Sequence, residues 1–83
     1  MKYKLFFTPM CPKCPKIKEF LNGVEKVEGE FIDATTKEGL EQARELKVSN
    51  VPTAVFFEEG KEISRAHDIE EVKRIVENKQ LGS

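Results

Sequence analysis

Phe6-Phe7-Thr8-Pro9-Met10-Cys11-Pro12-Lys13-Cys14-Pro15-Lys16-Ile17 runs from an apolar segment, through a break, into a helical pattern, with two cysteines at the junction. Upstream, Tyr3 to Phe7 is an aromatic and aliphatic run that reads as a buried strand. Thr8-Pro9-Met10 breaks it. Downstream, Pro12 suits the first turn of a helix, where its missing N–H costs nothing. Ile17, Phe20 and Leu21 then recur at helical spacing, and Asn22-Gly23 is a stop signal.

Cys11 and Cys14 are the chain's two cysteines. A secreted scaffold held together by disulfides would carry more of them, spread along the chain. A bridge across two intervening residues constrains the unfolded chain little, so the pair is a poor staple and a better reactive centre. The thiolate is the nucleophile, and the amide dipoles at a helix N-terminus stabilise it. Lys13 and Lys16 add positive charge in the same turn as thiolate-tuning candidates, and no Asp or Glu occurs from Lys2 through Lys18. Cys11 precedes the helix and is expected to be the more exposed, attacking sulfur. Cys14, one turn in, is expected to resolve the mixed disulfide. Pro15 is still in the first turn, where it is tolerated.

Working outward, Gly29 to Ile32 reads as a second strand, with Glu25 to Glu28 as a polar lead-in. Thr35, with Glu38 three residues later, is a capping-box candidate for a second helix. Leu40, Ala43 and Leu46 mark that helix's apolar side, and Lys47 closes it. Ala54 to Phe57 is a strand, Glu59-Gly60 a tight turn, and Lys61 to Ala66 the return strand of a hairpin. Asp68 can cap a third helix whose apolar stripe is Ile69, Val72, Ile75 and Val76. The tail from Lys79 to Ser83 is expected to fray. The order is β-α-β-α-β-β-α in one domain, residues 1–83. The first two strands should be parallel, joined by a right-handed crossover. This is the α/β class, a three-layer sandwich around a four-stranded mixed sheet.

Val51-Pro52-Thr53 is the second signal. Proline cannot donate to a strand ladder, so its place at a strand entrance is unusual. A cis Val51–Pro52 bond would explain it and would leave the Val51 backbone free to pair with an extended substrate near Cys11. Met10, Pro12, Val51, Pro52 and Thr53 are therefore the substrate-binding candidates.

Cys11-Pro12-Lys13-Cys14 near the N-terminus, Val51-Pro52-Thr53 farther on and the Glu59-Gly60 turn together resemble the thioredoxin superfamily. The resemblance spans essentially the whole chain. It is closer to glutaredoxins and compact archaeal or bacterial redoxins than to full-length thioredoxins, because an N-terminal strand and helix are missing. The resemblance implies a thioredoxin fold and a dithiol–disulfide reductase, with Cys11 as nucleophile, Cys14 as resolving cysteine and Pro52 as the cis-proline. It implies no cofactor. Two departures stand out. Leu5 occupies the position where thioredoxins bury an acid, and Ser64-Arg65-Ala66-His67-Asp68 lacks the Gly-Gly pair that approaches glutathione in glutaredoxins. Asp68 could still fill the acidic position that contacts the amino end of glutathione. The implied partners are disulfide-bearing protein substrates and a reductant, either a protein of the thioredoxin-reductase type or glutathione. Ribonucleotide reductase is one target class served by such redoxins.

Composition narrows the alternatives. Hydrophobic residues make up 39% and charged residues 35%, and the formal net charge is -1. No basic stripe stands out, which argues against nucleic acid as a partner. No signal peptide or membrane-length apolar run is visible, so a monomer in the cytoplasm is the expectation. The competing function is a soft-metal carrier, since thiolates favour Cu(I) and Zn. A closed zinc site needs four ligands, however, and two cysteines would require a dimer. The copper-chaperone element order also differs, so no metal site is assigned. His67, the chain's single histidine, reads as a surface residue beside a helix cap; nothing local places it near Cys11. The six phenylalanines read mostly as core, and Tyr3 as a strand-edge residue.

Overall fold

A computed structural model describes residues 1–25 and 27–82. Strands β1 (Lys2–Phe7), β2 (Glu28–Asp33), β3 (Thr53–Glu58) and β4 (Lys61–Ala66) alternate with helices α1 (Cys14–Asn22), α2 (Lys37–Glu45) and α3 (Ile69–Gly82) in the order β1-α1-β2-α2-β3-β4-α3. The sheet order is β2-β1-β3-β4. β1 is parallel to β2 and antiparallel to β3, and β3 is antiparallel to β4. Lys26, in the lead-in to β2, and Ser83, at the end of the tail, lie outside the described residues. α3 extends as far as Gly82.

β1 is paired on both edges, and its side chains alternate between two apolar clusters. Tyr3 and Leu5 join Ile17, Leu21, Ala54, Phe56, Val72 and Val76 beneath α1 and α3. Phe6 joins Ile32, Ala43 and Val55 on the α2 side. The three layers follow from this alternation. Tyr3 is thus buried on a central strand, not at an edge, with its ring 6.1 Å from Phe31 and 6.4 Å from Phe56. Burial raises its phenol pKa above the ordinary value.

Two helix starts differ from expectation. α1 begins at Cys14, so Pro12 sits in the bend before it and Pro15 takes the first-turn position. α2 is capped by Thr36, whose side chain accepts from the Gly39 amide at 2.9 Å. Thr35 instead turns toward Asp33, its amide and hydroxyl both donating to Asp33 Oδ1, at 2.8 and 2.6 Å. Gly39 is required here: a Cβ would collide with the Asp33 carbonyl oxygen, so α2 starts directly against the end of β2. Leu40 consequently stays 44% exposed, and Ala43 with Leu46 carries the packing. At the other end of α2, the Arg65 guanidinium donates to the carbonyls of Leu46 and Lys47, tying that end to β4. Asp68 caps α3 as expected, its carboxylate accepting from the Glu71 amide at 2.8 Å. The hairpin turn carries φ 53° at Glu59 and 81° at Gly60; two successive positive φ values suit the right-handed twist of a tight hairpin. Among the described residues, no helix is long and apolar enough to cross a membrane.

Candidate functional site

The site begins where β1 ends. After Phe7 the chain turns back, the Cys11 amide donating to the Thr8 carbonyl at 3.1 Å. Pro12 and Lys13 form a bend, and α1 starts at Cys14. This path brings the two Cα atoms to 5.5 Å, and a disulfide joins Cys11 to Cys14. Cys11 is 9% exposed and Cys14 2%, the order expected for an outer and an inner sulfur.

The helix start is electrostatically open. Lys13 occupies the N-cap without a side-chain capping bond, and no acidic residue lies in the first turn. The first amides of a helix have no intrahelical partner and carry its positive end. Within the first turn of α1, no carboxylate neutralises that end. Lys13 and Lys16 are exposed beside it. Farther along α1, Lys18 Nζ lies 3.3 Å from the centroid of the Phe7 ring, fastening the helix to β1 through its ammonium group. Leu5 and Ile17 are fully buried in the apolar cluster beneath α1 and α3.

The opposite wall comes from strand register. Phe6 pairs with Thr53, which sets the entrance to β3 beside the end of β1. The Val51–Pro52 peptide there is cis. Ala54 pairs with Ala66, which brings the residue after β4 to the same end. The result is a groove of about 480 Å³. Thr8, Met10, Cys11, Pro12 and Lys13 line one side, and Asn50, Val51, Pro52 and His67 the other. Met10 stands 89% exposed at its rim.

Most of the residues singled out from sequence meet here. Met10, Cys11, Pro12, Lys13, Val51 and Pro52 line the groove, and Cys14 lies behind Cys11. Thr53 is 1% exposed, its hydroxyl donating to the Asn50 carbonyl at 2.6 Å. Lys16 and Asp68 are outside the groove lining, and Asp68 spends its carboxylate on the α3 cap. Sequence reading missed Thr8, Asn50 and His67. His67 Nδ1 lies 3.3 Å from Thr53 Oγ1, a contact between residues fourteen apart that only the β3–β4 register creates.

These features define a class: an α/β protein of thioredoxin fold with a Cys-x-x-Cys disulfide at a helix start, facing a cis X–Pro bond. Comparison with known proteins agrees. A probable thioredoxin of Archaeoglobus fulgidus is 38% identical over 56 residues, a stretch covering 64% of this chain and 62% of that relative. Thioredoxin 1 of Thermosipho africanus superposes with a TM-score of 0.79 at 24% identity, over 96% of this chain and 94% of that one. Fasciola hepatica thioredoxin superposes at 0.78 with 25% identity, over 93% of this chain and 78% of that one. No protein-family model matches the chain. The chain has the thioredoxin fold and is similar to thioredoxins, spanning 62% of the length of the curated relative it matches.

Proposed function

We propose that this chain is a thiol–disulfide oxidoreductase that reduces disulfides in protein substrates through Cys11 and Cys14. The observation that carries the reading is the Cys11–Cys14 disulfide at the open N-terminus of α1, on the wall of a groove that ends at Val51–Pro52. Cys11, the more exposed sulfur, attacks the substrate disulfide as a thiolate and forms a mixed disulfide. Cys14 then attacks Cys11, releasing the reduced substrate and leaving the bonded pair. Each cycle moves two electrons from the cysteines to the substrate. Lys13 and Lys16 favour the thiolate, weakly, because water screens exposed charges. Met10 and Pro12 on one wall and Val51 and Pro52 on the other receive the substrate segment, while Thr53, buried behind them, is not available to contact it.

A glutaredoxin-like redoxin acting as a cytoplasmic monomer in cell redox homeostasis is the finer form of this reading. A protein reductase suits the chain better than glutathione as electron source. The segment before α3 lacks Gly-Gly, and Asp68 is engaged in capping Glu71. The soft-metal carrier remains the competing reading, and it would use the same Cys11 and Cys14 sulfurs.

The test is reduction of a protein disulfide by the dithiothreitol-reduced protein, with Cys14→Ser as the diagnostic variant. It should accumulate a covalent mixed disulfide at Cys11, visible by mass spectrometry under non-reducing conditions. A Cys14→Ser protein that turns over normally and traps nothing would defeat the mechanism.

A further inference from the structure

His67 is remote from the cysteines in sequence, yet it lines the groove with Cys11. Its hydrogen bonds determine which ring nitrogen carries the proton. The Thr53 hydroxyl has one hydrogen. It is donated to the Asn50 carbonyl at 2.6 Å, a group that can only accept. Toward His67 Nδ1, at 3.3 Å, Thr53 Oγ1 is therefore an acceptor, and Nδ1 must be the donor. A neutral imidazole protonated at Nδ1 has its lone pair on Nε2, at the far edge of the ring. The anchor is firm: Thr53 is 1% exposed, and the His67 amide donates to the Glu71 carboxylate at 3.2 Å. Chain tautomers set by a hydrogen bond on one nitrogen are a standard way of aiming the other.

The titratable surroundings are few. The loop after β1 contributes Cys11 and Lys13 to the groove, and the segment from Asn50 to Thr53 contributes no titratable side chain. From α3, Glu71 holds the His67 backbone, while the Asp68 carboxylate accepts from the Glu71 amide.

We propose that His67, through Nε2, is the proton-transfer residue for exchange at Cys11, an inference that rests on the disulfide-reductase reading above. Nε2 takes the proton from the Cys11 thiol, giving a thiolate and an imidazolium. The thiolate attacks one sulfur of the substrate disulfide; that S–S bond breaks as the new one forms, and the leaving substrate thiolate takes the proton from His67. The neutral imidazole then accepts the Cys14 proton. Cys14 sulfur attacks Cys11, the mixed disulfide breaks, and the second substrate thiolate is protonated in turn. Two protons and two electrons leave the cysteine pair, and the substrate becomes two thiols.

The experiment is iodoacetamide alkylation of Cys11 against pH in the reduced Cys14→Ser background, with His67 intact, His67→Gln or His67→Asn. With His67 intact the profile should show an inflection beyond that of the thiol itself. Both substitutions should remove it and lower the rate at pH 6 about tenfold, equivalent to one pKa unit at the thiol. Asparagine can still donate to Thr53 but cannot carry the proton. A His67→Asn profile matching that with histidine would reduce His67 to a prop for Thr53 and overturn the proposal, as would an unchanged His67→Gln profile. Disulfide turnover of otherwise wild-type protein and of Cys11→Ser separates the two readings. If Cys11→Ser stays active, the reductase reading fails and this one with it. If Cys11→Ser is dead while the histidine substitutions alter nothing at any pH, only the proton-transfer role fails.

Discussion

At one end of the sheet, a groove of about 810 Å³ runs between the starts of β1 and β2 and the β3–β4 turn; at the other lies the groove of about 480 Å³ beside Cys11. The larger is lined by Lys2, Lys4, Glu28, Glu30, Glu45 and Glu58 among others. Some of these charges answer one another: Lys4 Nζ lies 4.0 Å from Glu30 and donates to Gln42 at 3.1 Å. Such exposed pairs contribute little and react with nothing. The smaller groove gathers a sulfur pair, a cis X–Pro peptide and an imidazole from three segments far apart in sequence. Volume therefore does not locate the chemistry here. What distinguishes the smaller end is that β1 finishes, β3 begins and β4 finishes there.

The sharpest way to break this contrast is to alter each end in turn. Cys11→Ser should bring protein-disulfide reduction down to the uncatalysed background, whereas Lys2→Glu in the larger groove should leave the rate within about twofold, as for most surface substitutions. An equal loss in both, measured as initial rate with the same substrate, would mean that the ends are not functionally separate. Phe56 is fully buried in the layer beneath α1 and α3. Phe56→Ala should cost about 3–5 kcal/mol in urea unfolding; a loss below about 1 kcal/mol would show that this layer does not hold the scaffold.

A smaller effect is expected at the hairpin turn of the larger groove. Gly60 has φ 81° and open space where a Cβ would stand, so Gly60→Ala meets backbone strain and no clash. The expected cost is about 1 kcal/mol with unchanged disulfide reduction, checked by urea unfolding and the same rate assay; altered turnover would tie the turn to the site. The smallest effect is pH-dependent and sits beside the reactive end. Hydrogen bonds from the Thr35 side chain and amide, with a lesser contribution from Lys18, hold the Asp33 carboxyl below its ordinary value of 3.8. A carboxylate with a depressed pKa adds stability above its unfolded value, and loses it as pH falls through the folded value. Asp33→Asn should thus be slightly less stable than wild type at pH 7, and the two unfolding curves should converge as the pH drops below about 4. A gap that persists unchanged into acid would assign the loss to packing, not to charge.

Sequence and structure part company at identifiable residues. Thr35 and Thr36 are equally good caps on paper; Asp33 engages Thr35, and Thr36 takes the role. Pro12 and Pro15 can each begin a helix, and the turn closed by Cys11 on Thr8 delays α1 to Cys14. Tyr3 looks like an edge residue until β1 is paired on both sides. By contrast the hairpin at Glu59-Gly60 and the Asp68 cap appear where local chemistry places them.

The amino-acid sequence alone determined the β-α-β-α-β-β-α order, the parallel first pair of strands and the reactive cysteine pair. Those depend on residues within one or two turns of each other: hydrophobic period, helix starts, tight turns and two sulfurs three positions apart. Tertiary structure alone decided that β1 lies between β2 and β3, that Thr53 stands beside Phe6, and that Ala66 stands beside Ala54. Strand order and register are settled by which apolar faces can be buried together, a property of the whole sheet. His67 enters the groove of Cys11 for that reason, and no pattern around residue 67 could have placed it there.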